Sequence, residues 1–140
     1  EVAPVERASP DSVGVDLGLT SFVALSSGET IGRPNFTNRA AKKLRRLQRA
    51  LARCRRGSKV RRKRKAALSR HQAFIANSRR DFLHKRSRAI VNRFGRIAVE
   101  DLSIKGLARS MLAKSVHDAS WGQFVSMIRY KAESAGCEVV

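Results

Sequence analysis

Hydrophobic alternation along the chain begins at Ser12. Val13, Val15 and Leu17 fall on one face of an extended segment by the two-residue period, and Gly14, Asp16 and Gly18 on the other. This pattern predicts a buried strand over about Ser12–Leu17, interrupted by one carboxylate. Phe22–Ser26 predicts a second strand, Ser27-Gly28 a tight hairpin turn, and Glu29–Gly32 a third strand. From Asn38 the period lengthens, and Leu44, Leu47 and Leu51 mark a helix with one narrow apolar stripe. Gly57-Ser58 breaks it, with Ser58 as N-cap of a second helix over about Lys59–Phe94. The predicted inward stripe of that helix is Ala67, His71, Phe74, Ile75, Ser78, Phe82, Ala89, Ile90 and Phe94. At the α-helical rise it would be roughly 50 Å long, so part of it is expected to project. Gly95 ends the helix and Arg96–Leu102 predicts a fourth strand, followed by a weakly patterned connection over Ile104–Val116. Asp118 or Ser120 can cap a last helix whose core face is Trp121, Phe124, Val125, Ile128, Ala132 and Ala135. Gly136 stops it, and the final residues begin a fifth strand. Three strands, a helical hairpin, a strand, a helix and a strand make an α/β sheet covered by helices. Residues 13–140 are assigned to this partial domain, about 38–94 to the hairpin insertion, and 1–12 to a polar segment or linker.

Charge adds a partner to this picture. Thirty Lys and Arg against 11 Asp and Glu give a net charge of +19. Self-repulsion on that scale opposes folding, so a polyanion is expected, with nucleic acid first. Residues 30–80 contain no carboxylate, while fifteen cations crowd into Arg39, Lys42, Lys43, Arg45, Arg46, Arg49, Arg53, Arg55, Arg56, Lys59, Arg61, Arg62, Lys63, Arg64 and Lys65. A charge run is ordinarily a solvated face. Without compensating acids this one is assigned to nucleic-acid phosphates, which position a backbone and carry little sequence information. The six phenylalanines fall mostly on core stripes, so no base-stacking platform is expected.

No apolar run approaches the roughly 20 residues needed to span a bilayer, and no signal-peptide pattern opens the chain. Cys54 and Cys137 are far apart with no CxxC, which predicts neither a disulfide framework nor a zinc ribbon and points to a reducing cytosol. The chain starts without Met and stops inside an apparent strand, so a fragment of a longer protein is expected.

The chemistry centres on two carboxylates. Asp16 in so apolar a strand needs a partner or a metal ion, although an aspartate tightening a turn is an equal alternative. Glu100 shares its side of the fourth strand with Ala98 and lies near the C-terminal end, where α/β sheets place ligands. Asp101 faces the other way, and Glu100-Asp101 taken alone reads as an ordinary strand end. If the first and fourth strands are neighbours, Asp16 and Glu100 meet. In so basic a chain, such a pair suggests Mg²⁺-assisted phosphodiester cleavage. His71 reads as a core histidine, Asp81 and His84 as a local pair on one helix face, His117 as a surface residue and Cys54 as a passive small side chain.

The motifs Gly14-Val15-Asp16-Leu17-Gly18, Asn77-Ser78-Arg79-Arg80-Asp81-Phe82-Leu83-His84-Lys85-Arg86-Ser87, Val99-Glu100-Asp101-Leu102 and Trp121-Gly122-Gln123-Phe124 with Tyr130-Lys131 resemble the TnpB (OrfB) family of transposon-encoded proteins. The family is similar to compact type V CRISPR effectors. The resemblance covers about Val13 to Val140 and implies an RNase H-like (RuvC) mixed sheet, with a DNA endonuclease activity guided by RNA and linked to transposition. It implies Asp16 and Glu100 as catalytic Mg²⁺ ligands, DNA and guide RNA as partners, and a prokaryotic cytosol or nucleoid location. It also implies a zinc ribbon and a third catalytic aspartate beyond Val140. Two ligands of three then fall in this chain, which predicts binding with little cleavage; Asp118 and Glu138 are not expected to substitute. Two competing readings stand beside it. Asp16-Leu17-Gly18 with Thr20 also resembles the phosphate hairpin of the actin and sugar-kinase group, and the basic helices fit a purely architectural nucleic-acid-binding protein.

Overall fold

The computed structural model describes residues 11–18, 21–32, 34, 36–100 and 120–140. Five expectations lie outside the described residues: the segment 1–10, Asp101-Leu102, the 104–116 connection, His117, and Asp118 as a cap. The chain divides into two compact units, one of residues 35–81 and the other of residues 1–34 with 82–140.

Strands β1 (Ser12–Asp16), β2 (Val23–Leu25) and β3 (Thr30–Ile31) are followed by α1 (Phe36–Ala52) and α2 (Lys59–Arg93). Then come β4 (Arg96–Val99), α3 (Trp121–Ser134) and β5 (Glu138–Val139). The sheet runs in the order β3-β2-β1-β4-β5. Hairpin neighbours are antiparallel, whereas β1 pairs with β4, and β4 with β5, in parallel. Residues 26–29 connect β2 to β3: the Leu25 N–H donates to the Glu29 carbonyl (2.8 Å), and Gly28 takes a φ of 87° that a side chain would oppose.

The alternation of β1 fixes which face is covered. Val13, Val15 and Leu17 are buried, and they join Ile97, Phe22, Val23 and Leu25 in one core. The α2 residues from Phe82 onward and α3 supply the other layer through Leu83, Ile90, Val91, Phe124 and Ile128. Phe22 has no exposed surface and meets Phe82 and Phe124 edge-on, at 5.3 and 4.9 Å between centroids. Each such aromatic pair contributes about 0.5–1.5 kcal/mol beyond the area it buries.

The α2 stripe differs from expectation. Leu83, Ser87 and Val91 are buried, whereas Phe74 is 65% exposed and Ala89 faces solvent. In α3 the covered face also includes Met127 and Lys131. Ser120 holds the N-cap position in a left-handed conformation, and its side chain makes no capping hydrogen bond. The other end of α3 is a Schellman turn: Cys137 N–H donates to the Ala132 carbonyl (2.9 Å) and Gly136 N–H to that of Glu133 (3.3 Å). Gly136 has a φ of 67°.

In the 35–81 unit, Ser58 caps α2 as its sequence suggests, its Oγ accepting the Arg61 N–H at 3.1 Å. Arg61 reaches back and donates from Nη1 to the carbonyls of Leu51 (3.0 Å) and Cys54 (3.4 Å). The Leu51 carbonyl also accepts the Cys54 N–H at 3.2 Å, so Arg61 reinforces the turn that closes α1. His71 is buried, stacked near Phe74, with Nε2 3.4 Å from the Ala40 carbonyl.

Candidate functional site

Asp16 and Glu100 are brought together by strand register. The parallel pairing matches Val13 with Ile97, Gly14 with Ala98, and Val15 with Val99. Asp16 and Glu100 are the next residues on each strand. The valines and Ile97 turn to the core, so the two carboxylates share the opposite face by the two-residue period. Both are exposed. They line one open depression of about 480 Å³ with Gly14, Ala24, Ser26 and Ala98. Its floor is flat because its residues are small. Ser26 Oγ accepts the Gly14 N–H (2.9 Å) and its own N–H donates to the Gly14 carbonyl (2.9 Å), which ties this edge of the depression together. Gly18 has another reason to lack a side chain: a Cβ there would sit 3.2 Å from the Ser21 carbonyl oxygen.

Arg93 pairs with Glu29 and Arg96 with Glu138. Neither involves Asp16 or Glu100, in a chain with a large excess of cations. Two neighbouring carboxylates without a cation repel each other, and a divalent ion reverses that term. Hard oxygen donors open to solvent suit Mg²⁺, which commonly binds through one or two carboxylates with substrate phosphates completing its shell. Among the described residues no group of three His, Cys, Asp or Glu converges to hold a metal. Glu138 is spent elsewhere, since it pairs with Arg96 at 3.1 Å. Arg96 is four residues before Glu100, so Glu138 sits about 13 Å away along the strand axis.

The predicted phosphate contacts occupy α1, the α1–α2 turn and the first turns of α2. Arg39 lies in α1, with its side chain outside the described residues. Lys42, Arg46, Arg49 and Arg53 recur at four, three and four residues. They form a cationic stripe opposite the apolar one of Leu44, Leu47 and Leu51. With Lys43 and Arg45 they line a basic hollow on α1. Arg55, Arg56, Lys59, Arg62, Lys63, Arg64 and Lys65 are exposed, whereas Arg61 is half-buried against the carbonyl end of α1.

In the sequence Lys131 stands out only as part of the Tyr130-Lys131 motif. It is 3% exposed, and its ammonium donates to Ser87 Oγ (2.7 Å) and the His84 carbonyl (2.9 Å). Burial, and secondarily the Arg88 charge, hold its pKa below the ordinary lysine range. Its spacing of seven and three residues from Phe124 and Ile128 was the available signal.

A sheet in the order 3-2-1-4-5, with antiparallel hairpins, a parallel β1–β4 pair and carboxylates ending those two strands, defines an RNase H-like α/β domain. A model of the OrfB_IS605 family, described as "Probable transposase", matches residues 1–111, and the chain belongs to that family. It is 37% identical over 134 residues to a "Putative RNA-guided DNA endonuclease" of Streptomyces pristinaespiralis, covering 95% of this chain and 33% of the relative. With "Putative RNA-guided DNA endonuclease InsQ" of Escherichia coli K12 the identity is 31%, across all of this chain and 39% of the relative. A Mycobacterium tuberculosis relative, "Putative RNA-guided DNA endonuclease Rv2885c", is 33% identical over 73% of this chain and 24% of its own length. The chain thus spans roughly a third of the curated relatives it matches. It is a TnpB-type protein, related to RNA-guided DNA endonucleases and linked to transposition. No helix among the described residues is long and apolar enough to cross a membrane.

Proposed function

We propose that these residues contribute the metal-binding carboxylate pair and a phosphate-binding surface to an RNA-guided DNA endonuclease. The observation that carries the reading is the β1–β4 register, which places Asp16 and Glu100 side by side on an uncrowded face. Asp16 and Glu100 would hold Mg²⁺. The chemistry supplied there is Lewis-acid stabilisation of charge on the phosphodiester oxygens. Gly14 and Ala98 keep the floor low enough for a strand backbone to approach the carboxylates. The exposed cations of α1 and early α2 hold DNA or guide RNA through phosphates. Their affinity therefore falls steeply with salt.

The test is a titration with paramagnetic Mn²⁺, a stand-in for Mg²⁺, followed by NMR. Amide signals of Gly14 and Ala98 should broaden first, and Asp16→Asn should abolish the effect while leaving the rest of the spectrum in place. An absence of selective broadening in the unaltered chain would refute the metal assignment and favour a purely architectural nucleic-acid binder.

A further inference from the structure

A second charged surface lies on the helices that cover the core face of the sheet, away from the carboxylates. His84, Lys85, Arg88 and Asn92 of α2 face Tyr130 and Lys131 of α3 across an open cleft of about 710 Å³, whose lining among the described residues includes no acid. Spacing explains the row on α2, because residues 84, 88 and 92 repeat every four positions along one helix face. Tyr130 stands at the mouth, 49% exposed, with its hydroxyl 3.5 Å from His84 Nδ1.

The floor is the unusual part. Lys131 is buried, and its ammonium donates to two neutral oxygens, Ser87 Oγ and the His84 carbonyl. Ser87, with no exposed surface, donates its hydroxyl hydrogen bond to the Leu83 carbonyl at 2.7 Å, so its lone pairs can accept from Lys131. The hydrogen bonds thus hold the ammonium at the cleft without neutralising it. Arg88 adds like charge beside it, which lowers the Lys131 pKa after burial itself. Burying a cation without an anion is unfavourable, and an anion entering the cleft relieves that term and the repulsion from Arg88 together.

We infer that this α2–α3 cleft binds a backbone phosphate of a nucleic-acid strand, with Arg88 and Lys85 as exposed contacts and Lys131 as the fixed charge beneath. The inference rests on the nucleic-acid reading above and adds a site separate from both the α1 stripe and the carboxylates. A phosphodiester fits better than a larger anionic surface because the charge is concentrated around one recess.

The test is photocrosslinking of the full chain to end-labelled 20-nucleotide DNA and RNA strands. One variant carries p-azidophenylalanine in place of exposed Tyr130, and a second carries it in place of Ala50 on the basic face of α1. Crosslinks from both positions are expected, and Arg88→Gln should reduce the Tyr130 yield severalfold while leaving the Ala50 yield unchanged. Crosslinking from position 50 alone would overturn the cleft and leave the nucleic-acid reading intact. A Tyr130 yield insensitive to Arg88→Gln would also overturn the cleft as a phosphate site. Crosslinking from neither position would overturn both.

Discussion

Replacing Lys42, Arg46, Arg49 and Arg53 together by glutamine removes one face of charge from α1 and nothing from its apolar stripe. All four are exposed, and glutamine is nearly as good a helix former as lysine or arginine, so the hairpin should keep its helicity by circular dichroism. If each cation neutralises one phosphate, each adds about 0.9 to the slope of log K against log salt on duplex DNA and about 0.7 on a single strand. Four together are then worth about 3.6 on a duplex and about 2.8 on a strand. Between 50 and 200 mM salt the unaltered chain should therefore lose about 10²-fold more duplex affinity than the variant. Fluorescence anisotropy with a labelled 20-base-pair duplex and a matched RNA strand, across that range, measures the slope directly. A variant with the parental slope would refute the reasoning, whatever happened to its affinity at a single salt concentration. Such a result would make the stripe a solvated face.

Arg61→Gln should behave unlike the other hairpin cations, because its guanidinium serves the carbonyl end of α1. A loss of about 1 kcal/mol in urea unfolding is expected, against less than about 0.5 for Arg46→Gln; equal effects would remove Arg61 from the capping role. Lys131 predicts a pH dependence, since burial and then Arg88 lower its pKa from 10.5. Between the lowered value and 10.5 the unfolded chain binds more protons, so stability rises with pH through that window. The unfolding free energy of the parent relative to Lys131→Met should rise correspondingly, with the neighbouring His84, Lys85, Arg88 and Tyr130 common to both proteins. A flat difference would contradict the burial of a charged amine.

The strands were legible because they alternate cleanly. Val13, Val15 and Leu17 told their face, and the two-residue period then placed Asp16 on the other. The boundary at Ser58 was legible for a similar reason: one side chain with one local partner decides it. The interior of α2 was not, since nearly every turn carries an apolar residue on more than one face. Leu83 and Val91 won burial through contacts with the sheet and α3, while Phe74 did not. Lys131 was hidden by its residue type. Its helical position called for a core residue, and only the facing Ser87 and the His84 carbonyl make an ammonium tolerable there. The meeting of Asp16 with Glu100 needed the order of strands, which periodicity alone does not provide. The topology and the family resemblance provided it.

The β1–β4 register has a consequence for how such proteins can vary. More than 80 residues separate Asp16 from Glu100 in the chain, yet their adjacency is set by four paired positions and not by the connecting segment. Residues 35–81 form a compact unit of their own, so they can be lengthened, shortened or exchanged for another hairpin without shifting either carboxylate. A single inserted residue inside β1 is a different event. It would turn Asp16 into the core and a valine onto the open face. Residues 35–81 are thus expected to be exchangeable as a module, whereas the two short strands cannot change in length.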